Sequence, residues 1–324
     1  MRGRLGILFL ISLAFSPVRA VLFDSTNDPN FNTAAPDPMG PFAGSGWQFE
    51  GQWGGVLGTP IAPQYFITAA HVGGNVGDTF TFDNVSYTTV AMFNSPNSDL
   101  RIWEVSGTFP TFAPLYTANN EVGKSLVVFG RGAPRGGAVM MGSDTKGWFL
   151  QSSDGVQRWG TNVVSSITTG TAQQGDFLTA AFDHIGGTEA SLSFGDSGGA
   201  VFIQDAMGNW KLAGINYGID SPYSLQASGS NPFNADLFDQ SGYYLQNDTT
   251  HAWEAQSGSG HFYATRISSN DAWIMSVIPE PSIPLLFVCG LSILLIVRLF
   301  QTRLGSRTLT SILSLRERRT RSAR

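Results

Sequence analysis

Three separated stretches of this 324-residue sequence carry side chains able to act on a carbonyl carbon. Phe194-Gly195-Asp196-Ser197-Gly198-Gly199-Ala200-Val201-Phe202 offers a hydroxyl among glycines, and Thr68-Ala69-Ala70-His71-Val72 offers an imidazole at the end of an apolar run. Asn97-Ser98-Asp99-Leu100-Arg101-Ile102-Trp103-Glu104-Val105 offers a carboxylate where an alternating strand begins. Acyl transfer to serine needs a hydroxyl to attack, an imidazole to take and return its proton, and a carboxylate to orient the imidazole. It also needs backbone donors for the oxyanion, and glycines let the chain bend until the N–H groups of Gly195 and Ser197 converge. His71 taken alone reads equally well as a hydrogen-bonded structural histidine. Asp99 is the least distinctive of the three, because an aspartate ahead of a strand is commonly a turn residue, and Asp78 and Asp83 compete with it.

In the order His71, Asp99, Ser197, these stretches resemble the triad segments of trypsin/chymotrypsin-like serine peptidases. Gly-Asp-Ser-Gly-Gly matches that family's nucleophile motif unbroken, while the histidine segment lacks the cysteine that often follows it there. Leu212-Ala213-Gly214-Ile215-Asn216-Tyr217-Gly218 resembles the strand beside the primary specificity pocket. Gly260 to Ile267, followed by Asp271-Ala272-Trp273-Ile274, resembles the family's last strand and C-terminal helix. The likeness runs from about Trp47 to Ile278 and implies an all-β fold of two six-stranded antiparallel barrels with a short C-terminal helix, the triad lying between the barrels. It also implies an oxyanion hole from Gly195 and Ser197, and a specificity pocket from Ser191, Phe194, Asn216, Tyr217 and Gly218. No cofactor or metal is assigned; His184, His251 and His261 have no recognisable metal-ligand spacing.

Two departures bear on mechanism. Ser191, six residues before Ser197, stands where the family has the base of its pocket; with no carboxylate there, Arg or Lys is not the expected substrate side chain, and Phe194 and Tyr217 suit a neutral one. In family members activated by cleavage, a freed N-terminal Ile or Val pairs with the aspartate before the nucleophile, here Asp196. No Arg-Ile-Val-Gly-Gly site is present, and the partner of Asp196 is left open.

The elements that must position these groups read as strands. Short apolar runs punctuated by turn residues occur at 55–59, 65–69, 79–82, 86–93, 100–105 and 125–130, and again at 147–151, 157–164, 177–182, 200–202, 210–217 and 261–267. Residues 21–46 read as an irregular lead-in to a 47–278 domain, and 221–260, dense in Ser, Gly, Asn and Asp, as a long surface loop shaping substrate access.

Both ends read as targeting segments. Arg2 and Arg4, an apolar run from Leu5 to Phe15, Pro17 and small Ala20 form a secretory signal over 1–20, cut after Ala20. From 279 onward, Pro279-Glu280-Pro281, an apolar transmembrane segment and a basic tail resemble the PEP-CTERM sorting signal of Gram-negative bacteria, which implies sorting to the envelope or surface and an exosortase as partner. A plain tail anchor fits the same apolar length and flanking charge. Between residues 21 and 280, eight Lys or Arg face 23 Asp or Glu, a formal charge of −15, which disfavours nucleic acid and anionic lipid as partners. The single cysteine, Cys289, lies in the C-terminal apolar run, so the exported body forms no internal disulfide. The sequence therefore reads as an exported serine endopeptidase acting on protein or peptide substrates, and otherwise as a catalytically inactive module of the same fold serving in binding or in an extracellular matrix.

Overall fold

The computed structural model describes residues 21–247 and 249–278, so the signal and sorting segments lie outside the described residues. Six antiparallel strands close a barrel in the order Gly51–Trp53, Val56–Ala62, Tyr65–Ala69, Leu100–Val105, Val85–Asn94 and Thr79–Phe82, the last pairing back onto the first. Alternation makes this possible: Val85–Asn94 turns Tyr87 and Thr89 inward and leaves their neighbours at the surface. Trp53, Phe66, Phe80, Trp103 and Phe109 fill the interior, with the rings of Phe66 and Phe80 stacked at 3.9 Å. Asp83 and Asn84, both at positive φ, make the two-residue turn between Thr79–Phe82 and Val85–Asn94, a geometry that matches strand twist.

The expected second six-stranded barrel is instead an open sheet of seven strands. Its order is Arg158–Val163, Ser125–Gly130, Ala200–Gln204, Trp210–Ile219, His261–Arg266, Asp176–Ala181 and Ser166–Thr169. On its first edge strand the Asn162 amide donates to the carbonyls of Ala181 and Ala190, at 2.8 and 3.0 Å. Among the described residues that edge continues in one parallel bridge, Thr161 with Glu189. Leu126, Val128, Leu178, Val201, Ile203 and Phe262 form the core of this half. A short helix, Asp271–Val277, follows the last strand, and no helix among the described residues is long and apolar enough to cross a membrane.

Two segments are more ordered than their composition suggests. Leu22–Phe23 of the expected lead-in is a strand paired with Ala190–Ser191, and Val21, Leu22 and Phe23 are buried. Within the expected surface loop, Tyr223–Ser224, Tyr244–Gln246 and Trp253–Ala255 form one sheet, while Ala235–Leu237 joins a second with Asp144–Leu150 and Arg135–Met141. Its scattered aromatics supply the reason: Tyr223 and Tyr243 pack with Val139, Ala235 and Leu237 into a small core of their own.

Candidate active site

His71 sits in a single 3₁₀ turn, Ala70–Val72, directly after the strand Tyr65–Ala69. Asp99 immediately precedes Leu100–Val105, and because Ala69 pairs with Leu100, both residues emerge at the same end of adjacent strands. The junction is fixed twice through the backbone: Ala70 N–H donates to the Asp99 carbonyl at 3.0 Å, and His71 N–H to Asp99 Oδ1 at 3.0 Å. The second carboxylate oxygen, Oδ2, lies 2.5 Å from His71 Nδ1, and Ser197 Oγ lies 2.8 Å from Nε2. A proton on Nδ1 facing Asp99 leaves the Nε2 lone pair facing the Ser197 hydroxyl, the tautomer a general base needs. The competing carboxylates are elsewhere: Asp78 accepts the N–H of Asn75 at 2.8 Å and Asp83 occupies the hairpin turn.

Ser197 stands on a turn that its glycines permit. At Gly198, φ is +80° and a Cβ would meet Thr68 Oγ1 at 2.3 Å; at Gly195, φ is +96° and a Cβ would meet Ser153 at 2.8 Å. Any other residue at either place would combine a left-handed backbone with a collision. The resulting turn leaves the N–H groups of Gly195 and Ser197 without a protein acceptor among the described residues, while Asp196, Gly198 and Gly199 N–H are bonded to Ser193, Asn216 and Asp196 carbonyls. Two free donors beside a nucleophile are what an oxyanion hole requires.

Asp196 anchors that turn from inside. Its buried carboxylate accepts the N–H of Gly132 at 2.6 Å, the N–H of Ser193 at 2.7 Å and the Ser193 hydroxyl at 2.9 Å. The Val21 N–H also favours the ionised carboxylate, so the groups at Asp196, left open by the sequence, are Gly132, Ser193 and the start of the expected lead-in. Burial nevertheless raises this carboxyl to about 6, because desolvation outweighs the four hydrogen bonds.

The remaining pocket residues divide. Tyr217 stands at the cleft, its ring 5.5 Å from the His71 ring in an edge-on arrangement and 4.7 Å from Phe177. Gln174, not foreseen from sequence, donates to the Tyr217 hydroxyl at 2.6 Å, and these three line an open hollow together with Tyr263, Leu245 and Asn247. Phe194 is half exposed, and Gly218 faces open space. Asn216 turns inward: its amide donates to the carbonyls of Phe129 and Asp196 at 2.7 and 3.1 Å, bracing the nucleophile turn. Ser191 is fully buried. His184 and His261 contact Asp24 and Asp220 and take no part in the triad.

No family model matches the chain. Over 237 residues it is 27% identical to the serine protease SepA autotransporter of Shigella flexneri, a stretch covering 67% of this chain and 17% of that protein. The chain thus spans less than a fifth of the length of the curated relative it matches. Among solved structures, the inactive form of Rv3671c from M. tuberculosis H37Rv is similar with a TM-score of 0.42 and 15% identity, over 79% of this chain and 98% of that one. The passenger domain of plasmid encoded toxin, an autotransporter enterotoxin of enteroaggregative Escherichia coli, is similar with a TM-score of 0.41 and 16% identity, over 69% of this chain and 22% of that one.

Proposed function

We propose that the chain is an exported serine endopeptidase in which His71, Asp99 and Ser197 form the catalytic triad. The observation that carries this reading is the unbroken chain of contacts from Asp99 Oδ2 through His71 to Ser197 Oγ, at 2.5 and 2.8 Å. His71 Nε2 takes the proton of Ser197 as Oγ bonds to the scissile carbonyl carbon, and the oxyanion is held by Gly195 and Ser197 N–H. The imidazolium then protonates the leaving amine, and water, deprotonated in turn by His71, releases the acyl group. Similarity to a relative named as a serine protease autotransporter supports both the chemistry and a location outside the inner membrane.

Export through residues 1–20 and sorting through 279–324 by an exosortase belong to the same proposal. So does a consequence of cutting after Ala20: the Val21 amide becomes an ammonium beside the buried Asp196 carboxylate, so removal of the signal strengthens the hold on the turn that carries the oxyanion donors. The test is labelling of the purified chain by a fluorophosphonate, with casein and a peptide library as substrates. Labelling confined to Ser197 and lost in Ser197→Ala is the expected result. A folded chain that neither labels nor cleaves would be a binding module of this fold and not an enzyme.

A further inference from the structure

Within the proposed peptidase reading, on which this inference rests, Asp99 holds His71, and some other group has to hold Asp99. Among the described residues its carboxylate is in hydrogen-bond contact with His71 alone, at the backbone N–H at 3.0 Å and at Nδ1 at 2.5 Å. Its carbonyl accepts the N–H of Ala70, again on the histidine turn. A carboxylate bonded only to the residue it orients gives that residue no independent reference, so the reference has to come through the loop that carries Asp99.

The residue before Asp99 supplies it. Ser98 is buried, and its hydroxyl lies 2.8 Å from Asn270 Oδ1 and 2.8 Å from Ser95 Oγ. Ser95 Oγ accepts the Asn97 N–H at 3.3 Å, and Ser95 N–H donates to the Leu100 carbonyl at 2.9 Å, so residues 95–100 close on themselves. Asn270 is buried too, and its Nδ2 donates to the Arg266 carbonyl at 2.8 Å. That bond turns Oδ1 toward Ser98, since a flipped amide would set oxygen against oxygen. A hollow lined by Pro96, Asn97, Asp176 and Trp273 opens beside the loop, so the loop depends on these hydrogen bonds and not on close packing all round.

The two partners belong to the two halves that divide the triad. Asp99 leads into Leu100–Val105 of the closed barrel, whereas Asn270 follows His261–Arg266 of the open sheet. In that sheet Arg266 pairs with Gly214, and the next residue, Ile215, pairs with Ala200. The Asn216 carbonyl accepts the N–H of Gly198, directly after Ser197, at 3.0 Å. Asn270 is therefore tied through two strand pairings to the turn of the nucleophile, and through one hydrogen bond to the loop of the carboxylate. The 2.8 Å contact between His71 Nε2 and Ser197 Oγ crosses the same divide, where a misplacement of about 1 Å can cost on the order of 100-fold in rate.

We propose that Ser98 and Asn270 are positioning residues of the triad: their hydrogen bond sets Asp99, and with it His71, against Ser197. Neither bonds to His71 or Ser197, so both act through Asp99, on the chemical step and not on substrate binding.

Kinetics on a peptide substrate give the first test. Asn270→Ala and Ser98→Ala should each lower kcat by about 10- to 100-fold and leave KM within about twofold. The double variant should lose little more than either alone, because the two changes remove one and the same hydrogen bond. Ser98→Ala leaves the start of the C-terminal helix untouched and decides the matter if Asn270→Ala does not fold. Parent kcat in Ser98→Ala, or losses that multiply in the double variant, overturns the proposal and leaves the triad standing. The second test needs no turnover: proton NMR of His71 Nδ1–H in Ser197→Ala. A sharp low-field resonance in slow exchange with water is expected, and adding Ser98→Ala should broaden it and speed its exchange. A resonance missing before Ser98 is changed, or unaffected afterwards, refutes the positioning role. A resonance that responds to Ser98 in a chain that cleaves nothing upholds the positioning role and refutes the peptidase reading alone.

Discussion

Val21 donates its backbone N–H to the buried carboxylate of Asp196, so the first described residue braces the turn that carries the nucleophile. Val21 holds a positive φ of 50°, a strained backbone for a β-branched residue, and costs of this kind run to roughly 1–3 kcal/mol. Cutting the peptide bond before Val21 removes the preceding carbonyl that creates the strain and leaves a cation at the carboxylate. A chain carrying one extra residue ahead of Val21 should therefore react with a fluorophosphonate more slowly than the cut chain, by on the order of 100-fold if the buried pair is worth what such pairs usually are. Equal rates from the two forms would remove the activating role.

The same pair predicts a pH signature. Burial raises the Asp196 carboxyl from 3.8 to about 6, so the folded, uncut chain retains a proton that the unfolded chain releases over that interval. Its stability should fall as pH rises from 3.8 to about 6, with no further loss from this group above that range. In the cut chain the ammonium favours the ionised carboxylate and flattens this slope. Its own contribution is present while the amine is charged and is lost as alkaline pH deprotonates it. Thermal unfolding of both forms across pH 4–9 measures the difference. Asp196→Asn should help the uncut chain near neutrality and harm the cut one.

These relationships show what a linear sequence exposes. The placing of Ser197 and His71 was legible because the chain around each is constrained locally: Gly195 and Gly198 answer to backbone geometry, and Ala69 and Ala70 to a tight strand end. Asp99 was legible only through chain order, since its selection over Asp78 depends on the pairing of Ala69 with Leu100. Most strands of the barrel and large sheet follow the apolar runs, whereas Arg135–Met141, with two glycines and a surface methionine, carries no such signal. That the second sheet stays open could not be read because the contacts of its edge strand, such as the Asn162 amide on the carbonyls of Ala181 and Ala190, join stretches remote in sequence. The strand Leu22–Phe23 was hidden because two residues make no periodicity, although Val21 follows the expected cleavage point directly. The burial of Asp236, on the strand Ala235–Leu237, was hidden for a related reason: the groups around it, Ser191, Asp220, Glu189 and His261, are remote from it in sequence.

The proposed triad predicts a non-additive pattern of losses. Asp99→Asn keeps the approximate shape but cannot hold the Nδ1–H tautomer of His71, and should lower kcat on the order of 10⁴-fold. Ser197→Ala and His71→Ala should each cost on the order of 10⁶-fold, and the double variant little more than either alone. Additive losses in single-turnover assays would mean that the residues do not act as a unit. The unfolding midpoint should barely move in Ser197→Ala, whose side chain is partly exposed, which separates catalytic from structural loss.

Asp236 makes a prediction about stability that is independent of any substrate. Its carboxyl is raised from 3.8 to about 8, chiefly by burial, so the folded protein holds a proton that the unfolded chain gives up above 3.8. A folded acid with a raised pKa weakens the fold progressively as pH climbs through this interval, and the penalty levels off above about 8. Asp236→Asn keeps the size of the side chain but abolishes its titration. Its unfolding midpoint should match the parent near pH 4 and exceed it by a margin that grows toward pH 8. A constant difference across the range would mean that Asp236 does not titrate in the folded protein.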